Sequence, residues 1–182
     1  MTACVATECC TTAAIAVVAT GVVLHSPRLI PMRFSLSVII TAPAARIFDI
    51  TQDYAQRRHW DTLECEAQLV DADAPSKAVV AHCKGRAGHS MDVVYVGYRR
   101  PAAATVRMVR GPWFIKSFAG SWRFIPLGEG WARVVFSYSV KCRPAWLAWL
   151  LTPVVVAVLK AENMRRLEAL KKYADTTGPR WV

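Results

Sequence analysis

From Arg33 onward, apolar and polar residues alternate with a period of two. Phe34, Leu36, Val38 and Ile40 interleave with Arg33, Ser35, Ser37 and Ile39, the signature of a half-buried strand. Thr41 then stands where a helix cap is expected, ahead of Pro43, a residue tolerated in a first helical turn. Ile47, Phe48 and Ile50 give that helix its apolar side, and Asp53 is placed to cap a second short turn through Arg58. Trp60-Asp61 hands the chain to a run of strands, with Trp60 expected to plug the corner. The alternation predicts strands near 63–70, 77–84, 90–99, 104–109, 113–125 and 133–141, separated by Gly-, Pro- and Asp-rich turns. In the first of these, Leu63, Cys65, Ala67 and Leu69 should share one face, and Glu64, Glu66 and Gln68 the other. Short connections imply antiparallel pairing, and clean alternation implies one wet and one buried face. The last element runs from about Pro144 to Ala174. Trp146, Trp149, Leu150, Val154, Val158, Ala161, Met164, Leu167 and Leu170 recur there at steps of three and four, a helical stripe. Before Lys160 it is apolar nearly all round, and Pro153 should kink or divide it.

These elements make an α+β protein: a curved antiparallel sheet of about seven strands with one long C-terminal helix packed across it. A sheet and one helix leave a gap between layers, and such gaps bind apolar small molecules. Strand parity nominates Tyr95, Phe118, Trp122, Phe136 and Tyr138 as ligand-facing, and the helix stripe nominates Trp146, Leu150, Val154, Val158 and Met164. Each could equally be packed core; the excess of aromatics favours a pocket. The same parity puts Cys83 inward with Val79 and Ala81, and His82 outward. It also sets Asp92 opposite Met91, Val93 and Tyr95. His59, His82, His89, Asp61 and Asp92 are the candidate acid–base groups. His59, His89 and Asp61 read as surface or hydrogen-bonding residues, so no catalytic residue is assigned.

Composition narrows the picture. The chain has 182 residues, 54% of them hydrophobic, and a formal net charge of +10. The basic residues are dispersed doublets such as Arg57-Arg58, Arg99-Arg100, Arg165-Arg166 and Lys171-Lys172, not a strip interleaved with aromatics, which argues against nucleic acid. The six cysteines show no CxxC spacing and no histidine at ligand spacing, so neither a metal nor a disulfide framework is expected, and a reducing, cytoplasmic setting follows. Residues 1–31 read differently. Ala13–Leu24 is an apolar run of signal-peptide length, but Glu8 precedes it and no Lys or Arg does. Residues 1–31 are therefore expected to be an extension outside the fold; the alternative is a poor export signal or membrane anchor.

From Arg33 to about Tyr173 the chain resembles the START-like (SRPBCC) superfamily, in particular bacterial polyketide cyclase/dehydrase-type proteins. The resemblance is carried by the first strand leading into Thr41-Ala42-Pro43-Ala44-Ala45-Arg46-Ile47-Phe48-Asp49-Ile50, by Asp53, by Trp60-Asp61, by the strand meander, and by Asn163-Met164-Arg165-Arg166-Leu167 in the terminal helix. It implies a helix-grip domain over residues 32–175, a tail from 176 to 182, and binding of lipids, polyketides or similar apolar ligands. It implies no cofactor. Some members are cyclases and many have no demonstrated chemistry; no universal catalytic motif exists to carry over. The expected function is a carrier or sensor of a hydrophobic small molecule. The alternatives are a cyclase/dehydrase-type enzyme using a pocket His or Asp, and a lipid-transfer protein working at a membrane surface, for which Trp146, Trp149, Arg143 and Lys160 are the sequence evidence.

Overall fold

The structure is a computed structural model, and residues 31–86 and 88–177 are described. The expectation for residues 1–31 lies, Pro31 apart, outside them. Seven strands form one antiparallel sheet in the order β1-β7-β6-β5-β4-β3-β2. They are β1 (Met32–Ile40), β2 (Glu64–Val70), β3 (Val80–Gly85), β4 (Ser90–Arg99), β5 (Ala103–Arg110), β6 (Ile115–Gly128) and β7 (Trp131–Cys142). Helices α1 (Ala44–Gln52) and α2 (Tyr54–Trp60) join β1 to β2, and α3 (Ala148–Thr176) follows β7. This is the helix-grip α+β fold that the element order predicts.

Register explains the core. β1 and β7 pair so that Leu36 faces Phe136 and Val38 faces Val134. β7 and β6 pair so that Phe136 faces Trp122 and Val134 faces Phe124. One buried face therefore carries Val134, Phe136, Tyr138 and Val140 beside Trp122 and Phe124. The Trp122 and Phe136 rings stack at 4.1 Å between centroids, and Phe48 from α1 meets Phe124 and Tyr98 edge-on, each at 5.3 Å. Aromatic contacts of this kind add about 0.5–1.5 kcal/mol each beyond area burial.

Three local expectations are corrected. Thr41 caps nothing: Pro43 is the N-cap of α1 and no side chain bonds the helix start. β3 starts at Val80 rather than Lys77, because Ala78 adopts a positive φ of 73° that interrupts extended backbone. Pro153 does not divide α3, which runs through it as one element. Proline there forfeits only the bond to the carbonyl of Trp149, a residue 74% exposed, where water can satisfy that carbonyl. Asp53 caps α2 as expected, accepting from the amides of Ala55 and Gln56 at 2.9 and 3.2 Å.

α3 is gripped mainly along its second half. Asn163, Arg166, Leu167, Leu170 and Ala174 are buried against the sheet, whereas Trp149, Leu150, Val154 and Val158 are all about half exposed or more. The first half of the helix stands off the sheet and opens the space between the layers.

Candidate functional site: an apolar cavity with a paired ionic end

A cavity of about 680 Å³ lies between the sheet and α3. A volume of this size holds a molecule of several fused rings or a medium acyl chain. Its walls carry Tyr95, Phe118, Trp122, Phe136 and Tyr138 from the sheet and Val154 and Val158 from α3, seven of the nominated residues. Val93, Met91 and Cys83 share the strand faces. Gly120 opens the floor: a Cβ there would meet Val106, Phe136 and Tyr138 only at ordinary contact distance, 3.6 to 3.7 Å.

Trp146, Leu150 and Met164 do not line the cavity. They are 75%, 49% and 39% exposed. An apolar stripe identifies a helix face but not what covers it, and the first half of α3 has apolar residues on every side. His82 and Asp92 also lie elsewhere. They are cross-strand partners on β3 and β4, with His82 Nδ1 2.5 Å from Asp92 Oδ1, on the face away from Cys83, Val93 and Tyr95, as parity implies. His89 reaches the wall, exposed at the mouth and edge-on to Phe114 at 5.7 Å. His59 is exposed.

The far end of the cavity is polar. Arg166 Nη2 donates to Asp61 Oδ2 and, at 3.0 Å, to Glu64 Oε1. Arg57 Nη1 donates to Glu64 Oε2 at 2.8 Å and its Nε to the Thr51 carbonyl at 3.2 Å. The amides of Leu63 and Glu64 donate to Asp61 Oδ1. Two guanidinium and two carboxylate groups thus close a neutral cluster. Burial opposes the charge on Glu64, but Arg57 and Arg166 outweigh it and hold its carboxyl below the ordinary range. Burial likewise works against both guanidinium groups, and the facing carboxylates keep each firmly protonated. The Arg166 guanidinium also sits 5.3 Å from the Trp122 ring centre and 5.6 Å from that of Phe136, so it contacts the aromatic wall directly.

Three tyrosines complete this end. Tyr138 donates to Asn163 Oδ1 at 2.6 Å, and Asn163 Nδ2 donates to the Leu159 carbonyl. Tyr95 donates to Gln52 Oε1 at 2.9 Å and lies 2.9 Å from the Tyr54 hydroxyl. Burial pushes Tyr54, Tyr95 and Tyr138 up, so all three stay neutral hydroxyls. Burial, with Glu64 next, pushes the Cys83 thiol up to about 12.

The sequence reading missed this ionic end. Asp61 is a hydrogen-bonding residue, one of the two expectations for it, but fully buried and ion-paired rather than at the surface. Glu64 was set on the outer face by strict alternation, but the β2–β3 register shifts between Glu64 and Glu66, and the irregularity lets Glu64 join Leu63 on the cavity wall. Arg57 and Arg166 sit inside charged doublets and carry no sign of burial in the sequence alone.

Comparison with known proteins agrees with this architecture. No curated protein sequence matches the chain. Among solved structures, the Zhui aromatase/cyclase from Streptomyces sp. R1128 is similar, at 13% identity and a TM-score of 0.69 over 80% of this chain and 94% of that one. A START superfamily protein from Mycobacterium smegmatis is 12% identical, with a TM-score of 0.65 over 80% and 99%. Norcoclaurine synthase from Thalictrum flavum, solved with dopamine and hydroxybenzaldehyde, is 10% identical, with a TM-score of 0.63 over 96% and 100%. At these identities the likeness speaks for the fold alone. The family model described as polyketide cyclase / dehydrase and lipid transport matches residues 31–175, and with the sheet, the gripping helix and the cavity in place, the chain belongs to that family.

Proposed function

We propose that this protein is a carrier or sensor of a hydrophobic small molecule, held between the sheet and α3. The family and fold support binding or processing of such a ligand. One observation favours carriage over chemistry: both carboxylates of the ionic cluster at the cavity's inner end are held by buried guanidinium groups. Arg57, Glu64, Asp61 and Arg166 are mutually paired, and a general base needs a free lone pair within reach of the proton it removes. A cyclase/dehydrase-type enzyme would draw on His89 or Glu162, the histidine and the further carboxylate that line the cavity.

The test is native mass spectrometry of the purified chain, with solvent extraction, followed by titration with an environment-sensitive apolar fluorophore. A stoichiometric apolar ligand, or a single saturable site weakened by Trp122→Leu, is the expected result. A well-folded sample with no saturable site for apolar probes would overturn the reading. Turnover of a polyketide-like substrate that His89→Ala abolishes would replace it with the enzyme.

A second reading, ligand exchange at a membrane surface, draws on the exposed tryptophans around the start of α3. Trp146, Trp149 and Trp113 are 75%, 74% and 68% exposed, and Arg143 ties the start of α3 to the Trp113 carbonyl. Glu129 is the single acidic residue between Val93 and Ala161, a stretch that includes Arg110, Lys116, Arg143 and Lys160. Exposed tryptophans in basic surroundings suit an anionic bilayer. Among the described residues, no helix is long and apolar enough to cross a membrane.

A further inference from the structure

We infer that the polar end of the cavity selects ligands that present a hydroxyl, an alcohol or phenol that can donate a hydrogen bond, over ligands that present only an ether or other bare acceptor. This rests on the proposed binding of an apolar molecule in the cavity and adds which polar group it carries.

The argument follows hydrogens through a chain that starts behind the wall. The Thr51 hydroxyl donates to the Phe48 carbonyl at 2.8 Å. A carbonyl can only accept, so the single hydroxyl hydrogen of Thr51 is committed and its oxygen is left to accept. Gln52 Nε2 supplies the hydrogen to it, at 3.2 Å. That orients the amide and turns Oε1 toward Tyr95, whose hydroxyl therefore donates to it at 2.9 Å. The only hydrogen of Tyr95 is now committed too. The contact between the Tyr95 and Tyr54 hydroxyls, 2.9 Å, can then be filled only by the hydrogen of Tyr54.

The end of the chain has a defined polarity. The oxygen of Tyr54 has given up its hydrogen and keeps lone pairs with no donor among the described residues. Gln52, Tyr54 and Tyr95 all line the cavity, so the group offered to a ligand is an acceptor. Burial keeps both tyrosines neutral, so titration does not scramble the order. The Arg57 guanidinium lies over the face of the Tyr54 ring, 4.5 Å from its centre. A hydroxyl is a group that can donate to the Tyr54 oxygen. An ether leaves Tyr54 unpaired. The other cavity tyrosine, Tyr138, gives its hydrogen to Asn163 and has the positive charge of Arg166 nearby.

The experiment compares 2-naphthol with 2-methoxynaphthalene as competitors of an apolar fluorophore on the full chain. One neutral hydrogen bond corresponds to roughly a fivefold preference, so wild type should hold the naphthol about fivefold tighter after correction for the two compounds' partition into octanol. Tyr54→Phe keeps the ring and removes the outer acceptor, leaving only the Tyr95 oxygen behind it, and should reduce the preference; Tyr54→Phe/Tyr95→Phe should bring both compounds to equal affinity. Gln52→Met removes the amide acceptor, frees the Tyr95 hydrogen to turn toward Tyr54, and should erase or invert the preference even if Tyr54→Phe proves unstable. Equal binding of the two compounds by wild type, a preference for the ether, or a preference untouched by any well-folded variant would overturn the inference while leaving the carrier reading intact. Failure of wild type to bind either compound or the fluorophore would overturn both.

Discussion

Removing Arg166 should be among the most damaging single changes in this domain. Its side chain is 3% exposed, and the carboxylate it faces, Asp61, is 0% exposed. Arg166→Leu keeps most of the apolar stem but deletes two charge-assisted bonds, to Asp61 and Glu64. The cluster then holds two carboxylates against Arg57 alone, an uncompensated negative charge in a largely buried site. Breaking a buried pair from one side costs about 3–5 kcal/mol. The amides of Leu63 and Glu64 still donate to Asp61, so the lower end applies, about 3 kcal/mol. For a domain of this size that is a fall of roughly 6–12 °C in melting temperature. Urea unfolding would read it directly, and the double variant Asp61→Asn/Arg166→Leu closes the cycle. With both charges gone, Glu64 and Arg57 remain a balanced pair, so the double variant should recover about 2 kcal/mol relative to the sum of the single changes. There is also a pH signature. The carboxyl of Glu64 is held below its ordinary value of 4.5, so its contribution is complete above that value and is lost as pH falls through the lower, folded one. Arg166→Leu should flatten the acid limb in that window. A cost below about 1 kcal/mol for Arg166→Leu, or strict additivity in the cycle, would show that the cluster is not desolvated as described.

Three further outcomes follow from the same geometry. His82→Ala and Asp92→Asn, on the face away from the cavity, should leave probe affinity within about threefold, under ~0.7 kcal/mol; a tenfold loss in either folded variant would place chemistry or binding there. Cys83, with its thiol pushed up to about 12, should resist iodoacetamide at pH 8.5 in the folded chain and react fast when unfolded, as peptide mass spectrometry can resolve. Its raised value favours the fold below the ordinary thiol value of 9.0, and that contribution should fade as pH climbs from there toward 12. Trp146→Ser/Trp149→Ser, changing residues that line no part of the cavity, should reduce co-sedimentation with phosphatidylglycerol vesicles at low salt without altering probe affinity; unchanged vesicle binding would remove α3 as the contact.

Strand identity, sheet parity and the presence of one long terminal helix were legible in the sequence, because each depends on a local period. Parity needs nothing beyond alternation once one inward residue is known, so Phe118, Trp122, Phe136 and Tyr138 could be set on one side of their strands, and His82 and Asp92 on the other, without coordinates. What a face meets is a different question. Trp146 and Val154 belong to one apolar stretch, yet only Val154 borders the cavity, because that depends on where α3 leaves the sheet. The ionic end depended wholly on tertiary structure. A register shift in β2 turned Glu64 inward, and contacts spanning 105 and 102 residues brought Arg166 to Asp61 and Glu64. Charged residues are read from sequence as solvated because burying one alone is prohibitive; only the fold supplies the opposite charges that make burial tolerable.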